Sequence, residues 1–353
     1  MLPESQNAVF FNEGHGYLFV KTLGQGQFGC ASLVRSLHNG RLYVRKEELR
    51  LSEVYSDHQA RTQPSREAQL ALKVKDIQNV YKLKGWVRHF SSAESKALEV
   101  SYWSLCNLGS MNGVYDAARK YGHRLPEPLL CQWLGSMLKT TIQVQQAGII
   151  HRDGHEGNWL LHAENGRVKV ILGDFGCAKL REECTQQQWL SGCRSDFANI
   201  LQIMCLLCGF TDKGTPISMS QVSSYRRERY SCGFMQVLDV LEAIVQTRPR
   251  STTYLHEQIS HCIAMLAQVN RPVDLAGLSY LRPTVPKLEF APYEQARGVI
   301  AKNRASFKNW NIATVSSEYP GRASSIKVLG MPREFHDKYY RKEWGSIYQK
   351  FEH

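Results

Sequence analysis

The sequence predicts an α+β fold in which a small antiparallel sheet with one main helix precedes a larger helical region. Three observations carry this. Tyr17-Leu18-Phe19-Val20-Lys21 and Ala31-Ser32-Leu33-Val34 read as two strands around a glycine-rich stretch. The pair Asn39-Gly40, ahead of Arg41-Leu42-Tyr43-Val44-Arg45-Lys46, is a strong hairpin signal and adds a third strand. Beyond residue 128 the pattern turns helical, with a long stretch from Pro128 to Gln146 and an apolar one from Ile200 to Phe210.

The elements follow in order. Cys30-Ala31-Ser32-Leu33-Val34-Arg35 alternates small or apolar side chains with others, so the glycines join two strands instead of opening a helix. In the third strand successive side chains face opposite ways, so Arg45 and Lys46 cannot both enter one cleft. Pro64 opens a helix on which Glu67, Leu70, Ala71 and Val74 share a face, setting a carboxylate beside an apolar stripe. Ala97 to Tyr102 reads as a strand. The helix from Pro128 ends before Gly148. Trp159 to His162 and Val168 to Leu172 flank Ala163-Glu164-Asn165-Gly166-Arg167, a hairpin that returns the chain beside Asn158. No internal repeat is evident.

At 353 residues there is room for two cored units plus an extension. The N-terminus has neither the basic start nor the apolar run of a secretory signal. The longest apolar stretch falls short of the roughly 20 residues that span a bilayer. Ten cysteines are scattered without metal-ligand spacing; the close pair Cys205 and Cys208 lies in the apolar helix and reads as core, which predicts a reducing, intracellular setting, cytoplasmic or nuclear. Cys177 reads as a small residue packed under a turn. The net charge of +12 suits an anionic partner or surface, while nucleic acid is not expected.

The chemistry concentrates in His151-Arg152-Asp153-Gly154-His155-Glu156-Gly157-Asn158 and in Asp174-Phe175-Gly176, 16 residues after Asn158. Two carboxylates and an amide at this separation can converge on nucleotide-bound Mg²⁺ and on an attacking hydroxyl, as phosphoryl transfer requires. Upstream, Gly24-Gln25-Gly26-Gln27-Phe28-Gly29 is followed by Lys46 and then Glu67. In this order the set resembles the signature of the eukaryotic-type protein kinases, divergent and with a shortened activation segment.

The resemblance implies a bilobal protein-kinase-like fold spanning 17–280, with an N-lobe over about 17–105 and a C-lobe over about 106–280, after an N-terminal extension 1–16. It implies ATP and Mg²⁺ as cofactors and a protein hydroxyl, Ser or Thr, as acceptor. Lys46 would contact the α- and β-phosphates and pair with Glu67; Gly24, Gly26, Gly29 and Ala31 would cover the nucleotide; Ser104 and Cys106 would line the hinge. Asp153 would accept the hydroxyl proton, and Asn158 and Asp174 would hold the metals. Trp103, or Tyr102 in a register shifted by one, would back the adenine pocket. His151 is expected to pack under the catalytic loop, and Thr185 is a candidate phosphorylation site facing Arg152.

Two departures bear on the acceptor. His155 stands where Ser/Thr kinases carry Lys, and with Gly157 it is similar to the pattern of aminoglycoside-phosphotransferase-like small-molecule kinases. Only 22 residues separate Asp174 from Asp196, aligned with the Asp that opens the central helix of the larger lobe; no Ala-Pro-Glu follows, and Glu182 or Glu183 is left as substitute partner for Arg271. The alternatives are thus a small-molecule kinase or a nucleotide-binding pseudokinase scaffold. Asn270-Arg271-Pro272-Val273 resembles the Arg-Pro segment near the end of kinase domains, which puts the expected domain end at about Tyr280. Residues 281–353 form a basic, aromatic-rich tail whose segment Phe335 to Phe351 has helical spacing, read as a cap on the larger lobe or a partner-binding helix.

Overall fold

A computed structural model describes residues 9–12, 15–26, 29–51, 65–91, 96–120, 122, 124–213, 215, 217–269, 313–317 and 326–330. The segments around Arg271 and Phe335 to Phe351 lie outside them. The chain divides into two compact units.

The first unit is a sheet. Among the described residues it has the order β12-β11-β1-β2-β3-β4-β6-β5, built from β1 (Val9–Asn12), β2 (His15–Gly26), β3 (Gly29–Ser36), β4 (Leu42–Leu51), β5 (Leu83–Ser91), β6 (Lys96–Ser104), β11 (Ala313–Ser317) and β12 (Ile326–Gly330). The neighbouring pairs are antiparallel. Gly40, at φ +71°, lets the chain reverse between β3 and β4 where Asn39-Gly40 forecasts a hairpin. Register separates the two basic residues of β4. Lys46 sits opposite Ala31 and Ser101, and Val44 opposite Leu33 and Trp103, so these side chains share one face. Arg45 lies on the other face, buried and paired with Glu47. There Tyr17 stacks on Tyr102, with ring centroids 4.2 Å apart. Burial of Val34, Val100, Tyr102 and Trp103 anchors the sheet, each worth about 1.5–3 kcal/mol or somewhat more for the rings.

Two features of this sheet exceed the sequence reading. It begins at Val9, ahead of the first expected strand, and its outer strands β11 and β12 come from the tail.

The second unit is mainly helical. It holds α1 (Arg66–Lys73), α2 (Met111–Lys120), α3 (Glu127–Gln146), α4 (Gln186–Leu207), the short α5 (Ser224–Arg227), α6 (Cys232–Gln246) and α7 (Thr252–Val269), with β7 (Ile149–Ile150) pairing β10 (Lys179–Leu180) and the hairpin of β8 (Trp159–Glu164) and β9 (Arg167–Leu172). At the hairpin tip Asn165 and Gly166 both have positive φ, 51° and 71°, as a two-residue turn between right-twisted strands requires. Glu67, Leu70, Ala71 and Val74 are all buried, as their spacing forecasts. Leu70 and Val74 belong to the helical unit's core, so α1 groups with that unit. Trp133, Trp159, Phe175, Phe197, Phe210 and Phe234 fill the same core, and Cys205 and Cys208 are buried in it as expected.

One expectation is corrected. Asp196 does not open the central helix; it lies midway along α4, which begins at Gln186. The start is set by Thr185, whose hydroxyl accepts the Gln188 amide (3.2 Å) while Gln188 Oε1 accepts the Thr185 amide (2.9 Å). This reciprocal cap satisfies two otherwise orphaned N–H groups, and Trp189, Cys193 and Phe197 then bury one face of the added turns.

Candidate active site

The helical unit brings Asp153, Asn158 and Asp174 together through backbone contacts. Asn158 follows a turn closed by its own amide on the His155 carbonyl (3.0 Å), and its carbonyl accepts the Gly173 amide (2.9 Å), which sets the residue before Asp174 beside it. Asn158 Nδ2 donates to the Asp153 carbonyl (2.8 Å) and to Asp153 Oδ2 (3.0 Å). With both its donors turned inward, Asn158 keeps its side-chain oxygen for another ligand.

Asp196 organises the loop from beneath. Its carboxylate, buried in α4, accepts the amides of His151 (3.0 Å) and Arg152 (2.8 Å). Burial pushes this carboxyl up, while the His151 ring and the donors it accepts pull the other way. Gln145 Nε2 adds a third donor at 3.3 Å and also reaches the Cys193 carbonyl (3.0 Å). Gln145 Oε1 in turn meets His256 Nε2 at 2.8 Å, and burial lowers the His256 pKa, favouring the neutral ring. Arg152 adopts φ +68° and Asp174 φ +60°. Such conformations cost about 1–3 kcal/mol each and persist where surrounding contacts over-determine them.

His151 is buried as expected. Its Nε2 lies 2.9 Å from the Gly173 carbonyl, and its ring meets Phe175 edge-on with centroids 5.0 Å apart. Phe175 is fully buried, so it pins the turn that carries Asp174 outward. Asp174 is exposed, with Oδ1 accepting the Gly176 amide at 3.2 Å. Cys177 is exposed, against the expectation that it packs under the turn. After Gly176 the chain needs only residues 177–185 to reach α4. Glu183 pairs with Arg66 and accepts the Leu180 amide (2.9 Å), and Glu182 lies 4.0 Å from Lys73. Arg66, Arg152 and Lys179 line an open groove of about 650 Å³ that also reaches Asp153.

In the sheet unit, Lys46 Nζ lies 5.4 Å from the Trp103 ring, on the face it shares with Ala31. Ser104 ends β6 and Cys106 is buried where the chain enters the helical unit; burial pushes the Cys106 thiol up to about 12. Gly24 is exposed, and a Cβ there would meet nothing within 4 Å. Sequence reasoning did not find Gln145 and His256. For Gln145 the available signal was a glutamine four residues after Thr141 and one after Val144, in line with the helix's apolar face; for His256 there was none.

An antiparallel sheet unit, a helical unit and a loop in which Asn158 holds Asp153 define the protein-kinase class of fold. The protein kinase domain family matches residues 17–197, more than half of the chain, and the chain belongs to that family as a divergent member. It is 26% identical over 164 residues to a probable serine/threonine-protein kinase nek3 of Dictyostelium discoideum (46% of this chain, 14% of that one). It is 30% identical over 180 residues to the mouse serine/threonine-protein kinase Nek9 (50% and 16%), and 26% identical over 181 residues to the human serine/threonine-protein kinase 16 (49% and 56%). The chain thus spans about half the length of the human relative and far less of the other two. Among solved structures, the BubR1 kinase domain matches with a TM-score of 0.52 at 15% identity, covering 76% of this chain and 86% of that one, which supports the fold.

Proposed function

We propose that this chain transfers the γ-phosphate of Mg²⁺-ATP to a protein hydroxyl, as a serine/threonine protein kinase. The observation that carries the reading is the Asp153 carboxylate held by Asn158 on a loop whose backbone is fixed by buried Asp196. The donors suit Mg²⁺: Asp174 is exposed and the Asn158 amide nitrogen is the atom engaged by Asp153, and Mg²⁺ in such sites takes one or two protein oxygens and completes its shell with phosphates and water. Asp174 and the Asn158 side-chain oxygen would supply those ligands, and the ion, when bound, would neutralise charge on the transferring group.

In the step, a bond forms from the acceptor oxygen to the γ-phosphorus as the bond from that phosphorus to the bridging oxygen of ADP breaks. The hydroxyl proton passes to Asp153 and then to solvent. Lys46 and Glu67, with Gly24, Gly26, Gly29, Ala31, Ser104 and Cys106, are the proposed nucleotide-binding set; the alternation that turns Lys46 away from Arg45 supports the choice of Lys46. The ten free thiols fit a reducing, intracellular setting. No described helix is long and apolar enough to cross a membrane.

A small-molecule acceptor is the second reading, favoured by the early start of α4, which leaves only residues 177–185 to hold a peptide. Transfer from radiolabelled ATP to mixed peptides and, separately, to mixed metabolites tests both. We expect Mg²⁺-dependent label on peptides, reduced about 10³-fold by Asp174→Asn. Label on a metabolite alone moves the assignment to the second reading. No transfer, together with no Mg²⁺-dependent thermal shift by ATP, sinks both.

A further inference from the structure

The two oxygens of Asp153 have different surroundings. Oδ2 accepts Asn158 Nδ2 at 3.0 Å and lies 3.9 Å from His155 Nε2. His155 is exposed, yet its ring is not loose: Nδ1 accepts the Gly157 amide at 3.0 Å, folding the imidazole back on its own loop. With Nδ1 placed as the acceptor, Nε2 is the ring atom left to donate. Residue 157 must be small for this to happen. A Cβ there would stand 2.6 Å from His155 Cε1 and 3.0 Å from Nδ1, so any side chain at 157 drives the ring away.

The geometry points to His155 as a positioning residue for Asp153. Its Nε2–H joins Asn158 in engaging Oδ2, which leaves Oδ1 as the atom presented to the acceptor hydroxyl. At 3.9 Å the contact is longer than a direct hydrogen bond and acts as a charge–dipole interaction that one bridging water or a small ring rotation closes. Catalytic contacts of this kind are often loose before substrate arrives. A solvated surface histidine would need neither the Gly157 bond nor a glycine at that position. The inference rests on Asp153 as the proton-accepting carboxylate proposed above.

Two replacements separate positioning from loop support. His155→Asn keeps an acceptor near Nδ1 for the Gly157 amide and lacks the Nε2 donor. His155→Gln reaches the Nε2 position with an amide donor and gives up the Gly157 contact. With labelled ATP and the full chain, and Asp153→Asn as the zero, His155→Asn is expected to lower kcat about tenfold at unchanged KM for ATP, with His155→Gln within about threefold of wild type. The reverse ranking assigns His155 to loop support and overturns the inference, as does a wild-type rate in both variants. Nitrogen-15 NMR of the imidazoles gives a readout without turnover. The His155 signals should show the Nε2–H tautomer and shift when Asp153 becomes Asn; an Nδ1–H tautomer, or signals blind to Asp153, overturns the inference. A chain that shows both NMR signatures and transfers no phosphate sinks the kinase reading and leaves the contact standing.

Discussion

The loop from Ile150 to Asn158 and the segment 177–185 flank the same carboxylates but are held by different means. The loop hangs on buried partners: Asp196 beneath two amides, His151 beneath Gly173, and Phe175 against His151. The segment has one buried anchor, Ala178, with Leu180 and Cys184 packed at the core's edge, and is otherwise tied by the two-residue bridge of β10 to β7 and by side-chain pairs whose members are about a third exposed or more, Arg66 with Glu183 and Lys73 with Glu182. Exposed pairs contribute at most about 1 kcal/mol each, whereas stripping a buried donor of its acceptor costs about 1–3 kcal/mol. The groups that would do chemistry are therefore held by more buried contacts than the surface that would recognise an acceptor.

The widest test of that contrast is Asp196→Ala. It leaves the His151 and Arg152 amides without their acceptor and should destabilise the chain by about 3–5 kcal/mol in urea unfolding, with transfer lost in what remains folded. A loss below about 1 kcal/mol would show that the loop stands without its support and would erase the difference between the two regions. Next in size is Thr185→Ala, which removes the cap that ends the segment. About 1 kcal/mol of stability should go, read by the same unfolding curve, with phosphoryl transfer to peptides falling more than ATP affinity.

The smallest effect concerns acid. Burial lowers the His256 pKa below its ordinary value of 6.5, so the unfolded chain takes up a proton that the folded one resists. Stability is then full above pH 6.5 and declines as the pH falls from there toward the lowered folded value. Thermal unfolding between pH 7.5 and 5 should show this shallow slope, and His256→Gln should flatten it. An unchanged slope in the variant would detach His256 from the network that reaches Asp196 through Gln145.

The sequence pointed to the candidate site because Lys46, Glu67, Asp153, Asn158 and Asp174 occur in a fixed order, and made the strands legible because alternation survives in short windows. Asn39-Gly40 and the face of Glu67, Leu70, Ala71 and Val74 read correctly because turn geometry and helical period are local properties. What escaped was long-range or depended on a single cap. The start of α4 rests on the cap between Thr185 and Gln188, which goes unseen when the helix is assumed to begin at Asp196. The fold of His155 onto Gly157 is a contact two residues apart, yet nothing in a string of letters reveals that the ring turns inward. The strand at Ala313–Ser317 finds its partner at Val9–Asn12, across nearly the whole chain.

That last pairing has a consequence for synthesis. The first strand leaves the ribosome long before its outer neighbour exists: at about 5–20 residues per second, the roughly 300 residues between them take on the order of 15–60 s. The helical unit emerges in the interval, so it can complete while the sheet still carries a bare row of main-chain donors and acceptors along β1. An open edge of this sort invites pairing with another chain. Ala313–Ser317 covers it only once made, so that edge stays open to another chain until the last strands of the sheet are synthesised.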